Sequence, residues 1–574
     1  MRRQRERTFL EGLRVLVLDG HSRAALETVQ SLGRRGARVR VAAAARDAPA
    51  FRSRWAVERV LQPSSGPELA RFLEAQVAAW IPALVVPATE TSLLALRALP
   101  AEHPARARAV LPGDEALDTF LDKERTRLQA ERVGVPVPAT RSVTAGASEL
   151  PAAWPVVLKP TRSKVVVGGK VRALAPVIVR DEAAWREALA DFAGLVEVQE
   201  QTYVTGVGVG VEVLYERGQL RWVFAHERQH ELPLTGGGSA WRTSLAVPED
   251  LLAASRALLD PLAWHGVAMV EFKRAPDGSF CLMEVNPRLW GSLALAIDAG
   301  VDFPLGLALL ATGREVGPSP AYRVPCGTRS LPEEVEWQKA NLRADHGDPL
   351  LMTRPRVRSV VELVGLCGPR QHLDHASCKD PRPVRHQVVE ALGGVGRSLA
   401  DAAGRRLWAL RMERRHEGTW TKPPRLLRPV NRVLVLCYGN ICRSPHAARR
   451  LQELRPELTV EGAGFHEREG RSSPREIIEA AAKRGLDLAD HRSKVVRYED
   501  LEAADLVLVM DRDQARRIRQ ASREVWARTH FLGLFRPGGR PEIADPYGGG
   551  RDAAERALAE IDEAVTALAA MLPR

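Results

Sequence analysis

The sequence predicts a multidomain chain of mixed α/β and α+β class, and three observations predict it. The pentapeptide RVLVL occurs at 14–18 and again at 432–436. Each copy is a continuous β-branched and leucine run, the mark of a buried parallel strand opening an α/β unit. After the first copy, helical and strand patterns alternate. From 155 to 300, short strands separated by glycine-rich turns take over, as in an antiparallel α+β body. At 574 residues the chain is also too long for one core, and roughly 150 residues per domain gives three or four domains.

In order, β1 is expected at RVLVL, a helix over Ala24–Arg35, a strand in ARVRVAAA, a helix over Pro67–Trp80 and a strand in ALVVPA. This alternation makes residues 1–120 a small doubly wound domain. LDKERTRLQAERVGVPVPAT reads as a helix stopped by Gly134 and two prolines. It opens a second domain, 121–318, whose strands lie in PVVLKP, VEVQEQ, GVGVEVLYERGQLRWVFAH and VAMVEFKRAPDGSFCLMEVNP. Residues 319–429 are rich in Arg and Pro, carry a helical patch at Val384–Arg415, and are expected to form a basic accessory lobe and linker. The second RVLVL opens the last domain, 430–574, a doubly wound parallel sheet.

A hydrophobic content of 45% and a charged content of 27% are those of an ordinary soluble globular protein. The most apolar stretch, SLALAIDAGVDFPLGLALLATG, contains Asp298 and Asp302, so a buried helix is expected there and no membrane span. The basic N-terminus lacks a signal-like apolar core, and a cytoplasmic location is expected. Six cysteines are too few for a disulfide framework, and Cys437 with Cys442 makes no zinc pattern. The net charge of +12 is spread along the chain without an aromatic-interleaved basic patch, which argues against nucleic acid and suits phosphate ligands.

VEFKRAPDGSFCLMEVNPRLWGS holds Glu271 and Glu284 on either side of a hairpin turned by PDG. Glu284 and Asn286, two apart on a strand, point to one face. Two carboxylates and an amide oxygen are a hard-oxygen set for Mg2+, which fills its other positions with water and nucleotide phosphates. Arg288 adds a planar guanidinium for a phosphate or carboxylate. On these residues, residues 12–315 resemble the ATP-grasp superfamily, particularly its branch similar to carbamoyl-phosphate synthase and D-alanine ligase. The resemblance implies that Lys123 in LDKE and Lys159 in VLKP hold the phosphates of ATP, and that Gln199 and Glu200 in VQEQ meet the adenine. It implies that Glu271, Glu284 and Asn286 bind Mg2+ and that Arg288 faces the transferred phosphate. It places Arg228 and the turn Gly236–Ser239 near the acceptor pocket, with a flap at TRSKVVVGGK.

CYGNICRSP, 437–445, sets a strand, a tight loop and a helix start in sequence. Backbone N–H groups of such a loop converge on an anion, and the helix N-terminus adds positive charge. That field favours thiolate at Cys437. Arg443, six residues on, can fork onto phosphate oxygens. The reaction class is phosphoryl transfer to sulfur followed by hydrolysis, with Asp545 of EIADPYGGG as the acid for the leaving oxygen. With DHRSK and ADLVLVMDRD in the same order, residues 430–574 resemble the low-molecular-weight protein tyrosine phosphatases. The resemblance makes Cys437 the nucleophile, Arg443 the clamp and Asp545 the general acid/base. Asn440, Ser444 and His491 then hold the loop, Asp511 is a structural partner, and Cys442 can trap Cys437 as a reversible disulfide. The family's SAGT reads GAGF here, at 462–465.

Together these features imply an ATP- and Mg2+-dependent ligase that activates a small carboxylate as an acyl phosphate for an amine or similar nucleophile. To it is fused a cysteine phosphatase acting on a phosphorylated small molecule or a phosphotyrosine protein. The alternative is a regulatory tyrosine phosphatase carrying an ATP-grasp nucleotide sensor or small-molecule kinase. No nucleic acid and no membrane insertion are expected, and a homodimer is admitted.

Overall fold

The first RVLVL run forms β1 (Arg14–Val17), fully buried beyond its first residue. A computed structural model describes residues 9–389 and 429–572, apart from 65, 145–146, 162–163, 168–169, 365–370, 378, 537 and 539. The chain divides into two compact units, 1–396 and 397–574.

In the first unit, β1 leads to α1 (Arg23–Gly33), whose start is capped by Ser22 accepting from the Ala25 amide. β2 (Arg38–Ala43), β3 (Ala56–Leu61), α2 (Gly66–Trp80) and β4 (Leu84–Val86) follow, giving a parallel sheet in the order β3-β2-β1-β4. The sequence reading missed β3. It is an edge strand whose AVERVL alternates in exposure, with Val57, Arg59 and Leu61 outermost.

α3 (Lys123–Arg132) is capped by Asp122, whose carboxylate accepts from the amides of Glu124 and Arg125. β5 (Thr140–Val143), β6 (Val156–Pro160), β9 (Val177–Val179) and β10 (Val198–Thr202) make an antiparallel sheet in the order β5-β10-β6-β9. Between β6 and β9 lies the small hairpin of β7 (Lys164–Val167) and β8 (Lys170–Ala173). It corresponds to the expected flap, whose Gly168 and Gly169 lie outside the described residues.

A larger sheet is built on β11 (Val207–Glu216), β12 (Gln219–Leu232), β13 (Gly238–Ser244), β14 (Gly266–Arg274) and β15 (Phe280–Asn286). β16 (Gly327–Arg329) and β17 (Gln371–Leu373) extend it to seven strands, in the order β15-β14-β11-β12-β13-β16-β17. Residues expected in an accessory lobe thus complete the main sheet. The ties are polar, one long-range and one local. Asp374, just after β17, accepts from Arg242 of β13, and Arg329 Nη1 of β16 donates to Glu334 Oε1 at 3.0 Å, all four side chains being buried. Of the expected Val384–Arg415 helix, 384–389 are helical, and from 390 the patch lies outside the described residues.

The Arg242–Asp374 pair gives a stability prediction. Arg242→Ala strands a buried carboxylate and is expected to destabilise the first unit by about 3–5 kcal/mol, whereas replacing both partners by apolar residues costs far less. Denaturant unfolding of the two variants checks the contrast.

The apolar stretch expected as one buried helix is two, Leu293–Ala299 and Phe303–Ala311, meeting at 89°. Gly300, at φ 131°, ends the first, and the Asp302 side chain caps the second by accepting from the Leu305 amide. Both helices are mostly buried, and among the described residues no single helix is long and apolar enough to cross a membrane.

In the second unit, β18 (Arg432–Cys437) lies between β19 (Thr459–Gly464) and β20 (Leu506–Val509), and β21 (Thr529–Phe531) completes the parallel order β19-β18-β20-β21. α4 (Arg443–Leu454) and α6 (Gly550–Met571) pack against one face through Ala447, Leu451, Leu558, Ile561 and Val565. α5 (Arg512–Ala521) covers the other through Ala515 and Ile518.

Candidate active sites

The hairpin of β14 and β15 sets Glu271 and Glu284 directly opposite each other, with a bulge immediately after Glu271. Opposed residues on antiparallel strands stand close enough to share a ligand. Asn286 Nδ2 donates to Glu284 Oε1 at 2.8 Å and to Glu271 Oε1 at 3.2 Å, so all three side chains meet. Arg228 of β12 closes the group, donating to Glu271 through Nη2 and to the Gly237 carbonyl through Nη1 at 2.8 Å.

Burial raises the Glu271 carboxyl to a pKa of about 7, with Arg228 opposing and Glu284 adding to the rise. Glu284 also feels burial, but the Asn286 hydrogen bond and the charges of Lys159, Arg228 and Arg288 outweigh it and hold its pKa below the ordinary value. Two crowded carboxylates with one arginine between them call for a further cation, and the donors are all oxygen once the Asn286 amide is turned, which fits Mg2+. Among the described residues no group of three or more His, Cys, Asp or Glu converges.

Glu284, Asn286 and Arg288 line one wall of a cleft of about 650 Å³, also lined by Lys123, Lys159, Thr161, Gln199 and Gln201. Lys123, the first residue of α3, donates from Nζ to the Pro160 carbonyl at 2.9 Å. Burial lowers the ammonium pKa of Lys123, and brings that of Lys159 down to about 8 against the attraction of Glu284. Gln199 pairs with Lys159 in register, and its amide is fixed by donating to Glu124 at 2.6 Å.

Glu200 is the exception among the predicted residues. Neighbours on a strand face opposite ways, and its carboxylate turns to the far side of β10. There Trp185 Nε1 donates to it at 2.6 Å and Arg141 Nε at 2.7 Å. The structure therefore does not bring the Glu200 side chain into the cleft. Glu124, which sequence reasoning passed over, does the anchoring there. Its only signal was its place beside Lys123 on a capped helix start.

In the second unit, Cys437 ends β18 and is buried. The Asn440 amide donates to its sulfur at 3.1 Å and the Ser444 hydroxyl at 3.0 Å. Asn440 sits at φ 50°, the left-handed region in which asparagine is one of the few tolerated side chains. Its Nδ2 donates to Ser444 Oγ at 2.9 Å, its Oδ1 accepts from the Lys494 amide at 2.8 Å, and its carbonyl accepts from His491 Nε2 at 2.7 Å. Burial keeps the His491 pKa below its usual range, so the ring acts as a neutral donor. Burial and the adjacent Cys437 push the Cys442 thiol pKa up.

The GAGF strand lies directly against this loop. A Cβ at Gly464 would stand 2.8 Å from both the Asn440 amide nitrogen and the Tyr438 carbonyl oxygen, and one at Gly462 would stand 3.1 Å from Asn440 Nδ2. Asn440→Ala leaves the partly buried Lys494 amide without its acceptor. It is expected to cost about 1–3 kcal/mol in stability and to slow turnover on an aryl phosphate by about 10²-fold, read by thermal unfolding and steady-state rates.

Arg443 is buried, and its fork is shared. Nη2 donates to Asp545 Oδ2 at 2.8 Å, and Nη1 donates to the Ile543 carbonyl at 2.9 Å and to Asp511 Oδ2 at 3.2 Å. Clamp and acid therefore meet, although 102 residues separate them. Sequence reasoning missed Arg471, whose Nη2 donates to the Gly439 carbonyl at 2.6 Å and ties the loop from behind. It stands in a polar run with nothing to single it out. Tyr438 and Tyr547 are exposed at 50% and 66%, beside the nucleophile and the acid respectively.

Comparison with known proteins gives two matches along the chain. The family described as low molecular weight phosphotyrosine protein phosphatase matches residues 432–574. The family described as ATP-grasp in the biosynthetic pathway with Ter operon matches 200–329. The low molecular weight protein-tyrosine-phosphatase Wzb of Escherichia coli (strain K12) is 35% identical over 117 residues, which are 20% of this chain and 78% of that protein. The probable low molecular weight protein-tyrosine-phosphatase EpsP of Ralstonia nicotianae is 36% identical over 138 residues, 24% of this chain and 93% of that protein. Among solved structures, N5-carboxyaminoimidazole synthetase from Staphylococcus aureus is similar at 17% identity and a TM-score of 0.45, over 57% of this chain and 84% of that one.

Proposed function

Because the chain belongs through residues 432–574 to the low-molecular-weight protein-tyrosine-phosphatase family and carries an ATP-grasp domain ahead of it, we propose a bifunctional enzyme. Its first unit joins a small carboxylate to an amine or similar nucleophile at the expense of ATP, and its second removes phosphate from an intermediate of the same pathway. The observation that carries this reading is that one chain holds two separately assembled phosphoryl-transfer sets. Lys123, Lys159, Arg288 and the Glu271–Glu284–Asn286 group form one, and Cys437, Arg443 and Asp545 form the other.

In the first unit, Lys123, Lys159 and Arg288 hold and neutralise the phosphates of ATP. Glu271, Glu284 and Asn286 would hold Mg2+, which supplies further neutralisation of phosphate charge when bound. A substrate carboxylate oxygen takes the γ-phosphoryl group and ADP leaves; the amine then attacks the acyl carbon and expels inorganic phosphate. Walls that exclude water protect the acyl phosphate from hydrolysis.

In the second unit, substrate phosphate replaces Asp545 on Arg443, freeing the carboxyl to protonate the leaving oxygen as Cys437 attacks phosphorus. Asp545 then takes a proton from the water that cleaves the cysteinyl-phosphate, releasing phosphate and regenerating Cys437. The Ser444 hydroxyl, already donating to Cys437 at 3.0 Å, stabilises sulfur as the leaving group. A second reading, dephosphorylation of protein phosphotyrosine, is favoured by exposed Tyr438 and Tyr547, which can flank an aryl phosphate.

The test supplies ATP, Mg2+ and a panel of carboxylic acids with amines, and reads ADP and coupled product. Stimulation of ADP formation by one acid supports ligation, and a phosphorylated product without coupling assigns a kinase instead. For the phosphatase, Cys437→Ser that traps phosphoproteins from a lysate favours the second reading, and capture of small molecules alone the first.

The nucleotide site also has a predicted pH dependence. With its pKa at about 8, Lys159 is charged below that pH and neutral above it. ATP affinity is expected to stay level below about pH 8 and to fall by up to tenfold per unit above it, because binding must then take up a proton. Titration of a fluorescent ATP analogue across that range checks the slope.

A further inference from the structure

A second cleft in the first unit, of about 440 Å³, is lined by Phe51, Arg52, Arg59, Arg382, Arg385, His386 and Val389. It shares no lining residue with the cleft that holds Lys123 and Lys159. We propose that it binds an organic polyphosphate, two or more phosphate groups carried on an apolar or flat body.

Among the described residues, four guanidinium groups line this space and no carboxylate does. Among the described residues, none of the ion pairs formed by the acids of this unit involves Arg52, Arg59, Arg382 or Arg385. The nearby Glu58 is held by Arg40, and Asp380 by Ser53, Gln30 and the Arg54 amide. Arg59 is oriented by main-chain carbonyls alone, donating from Nε to Phe51 at 2.6 Å and from Nη2 to Ser53 at 3.4 Å. Arg52 Nε is buried and makes no hydrogen bond. Like charges gathered with no paired counter-charge among the described residues repel, and a buried N–H without an acceptor costs desolvation. A bound polyanion relieves both.

The cleft is also held in shape. Its walls come from two segments far apart in sequence, the turn and edge strand of 49–61 and the helix that begins at 382. Asp380 ties them, its Oδ1 accepting from the Arg54 amide at 3.0 Å and its Oδ2 from Ser53 and from Gln30 Nε2 at 3.2 Å. Arg54 Nη1 in turn donates to the Lys379 carbonyl at 3.2 Å. Asp380 is fully buried and its oxygens are taken by Ser53, Gln30 and the Arg54 amide, so it does not line the cleft. Several guanidinium forks suit more than one phosphate, because each presents two parallel donors to a pair of phosphate oxygens. Phe51 and Val389 supply apolar surface for the rest of the ligand.

Isothermal titration of the full chain with inorganic tripolyphosphate tests the proposal. Arg382 and Arg385 are exposed, and Arg382→Glu/Arg385→Glu leaves both active sites intact, verified by unchanged rates of aryl phosphate hydrolysis and of ATP consumption. The double variant is expected to bind one tripolyphosphate fewer than the wild-type chain, with the remaining binding unaltered. Arg52→Gln, which keeps much of the packing, is expected to weaken the same component at least tenfold. Superimposable isotherms for wild type and double variant would overturn the proposal. It is also overturned, in favour of a nucleic-acid surface, if the double variant loses a short single-stranded oligonucleotide but keeps its full complement of tripolyphosphate.

Discussion

Cys437→Ser abolishes hydrolysis of aryl phosphates, a loss on the order of 10⁴–10⁶ in turnover, while ATP consumption by the first unit is unchanged. The size follows from the absence of a substitute nucleophile. The donors from Asn440 and Ser444 are aimed at position 437, and a hydroxyl there is far less nucleophilic than a thiolate. The same donors and Arg443 remain, so the variant still binds phosphate esters, and inorganic phosphate competes with them as in the wild type. Asp545→Asn separates the acid from the clamp. It is expected to slow hydrolysis of phenyl phosphate by about 10²–10⁴ and that of a nitrophenyl ester much less, because the better leaving group needs little protonation. Equal losses on the two esters would assign Asp545 to holding Arg443 rather than to proton transfer.

Glu284→Gln is the second large effect, with ATP-dependent turnover falling by about 10²–10³ and phosphatase activity unaffected. The amide keeps the shape and the hydrogen bond to Asn286 but removes the charge of one of the two carboxylates that meet at Asn286. It also removes the charge that opposes the lowering of the Lys123 and Lys159 pKa values, so both lysines become easier to deprotonate. Raising the Mg2+ concentration is expected to restore part of the rate. A purely structural role for Glu284 predicts no such rescue and a lowered unfolding midpoint instead.

What the sequence made legible was local. Glu271 and Glu284 bracket a PDG turn, and the hairpin sets them opposite each other without help from distant residues. Cys437 and Arg443 lie in one strand–loop–helix segment, and their roles follow from its geometry. What stayed hidden depends on distant partners or on strands too short to show a period. β16 and β17 have three residues each, and Asp374 meets Arg242 from 132 positions away. Glu200 follows Gln199 on one strand, so the pleat turns it to the other face, where Trp185 and Arg141 hold it. The cleft of four arginines joins residues more than three hundred positions apart, and no motif announces it.

The most direct test follows oxygen from the acid into phosphate. With the carboxylic acid that stimulates ADP formation labelled in its carboxylate with 18O, acyl-phosphate chemistry delivers one labelled oxygen to each inorganic phosphate released, alongside coupled product. Unlabelled inorganic phosphate, or a phosphorylated acid that is never coupled, would contradict ligation by the first unit.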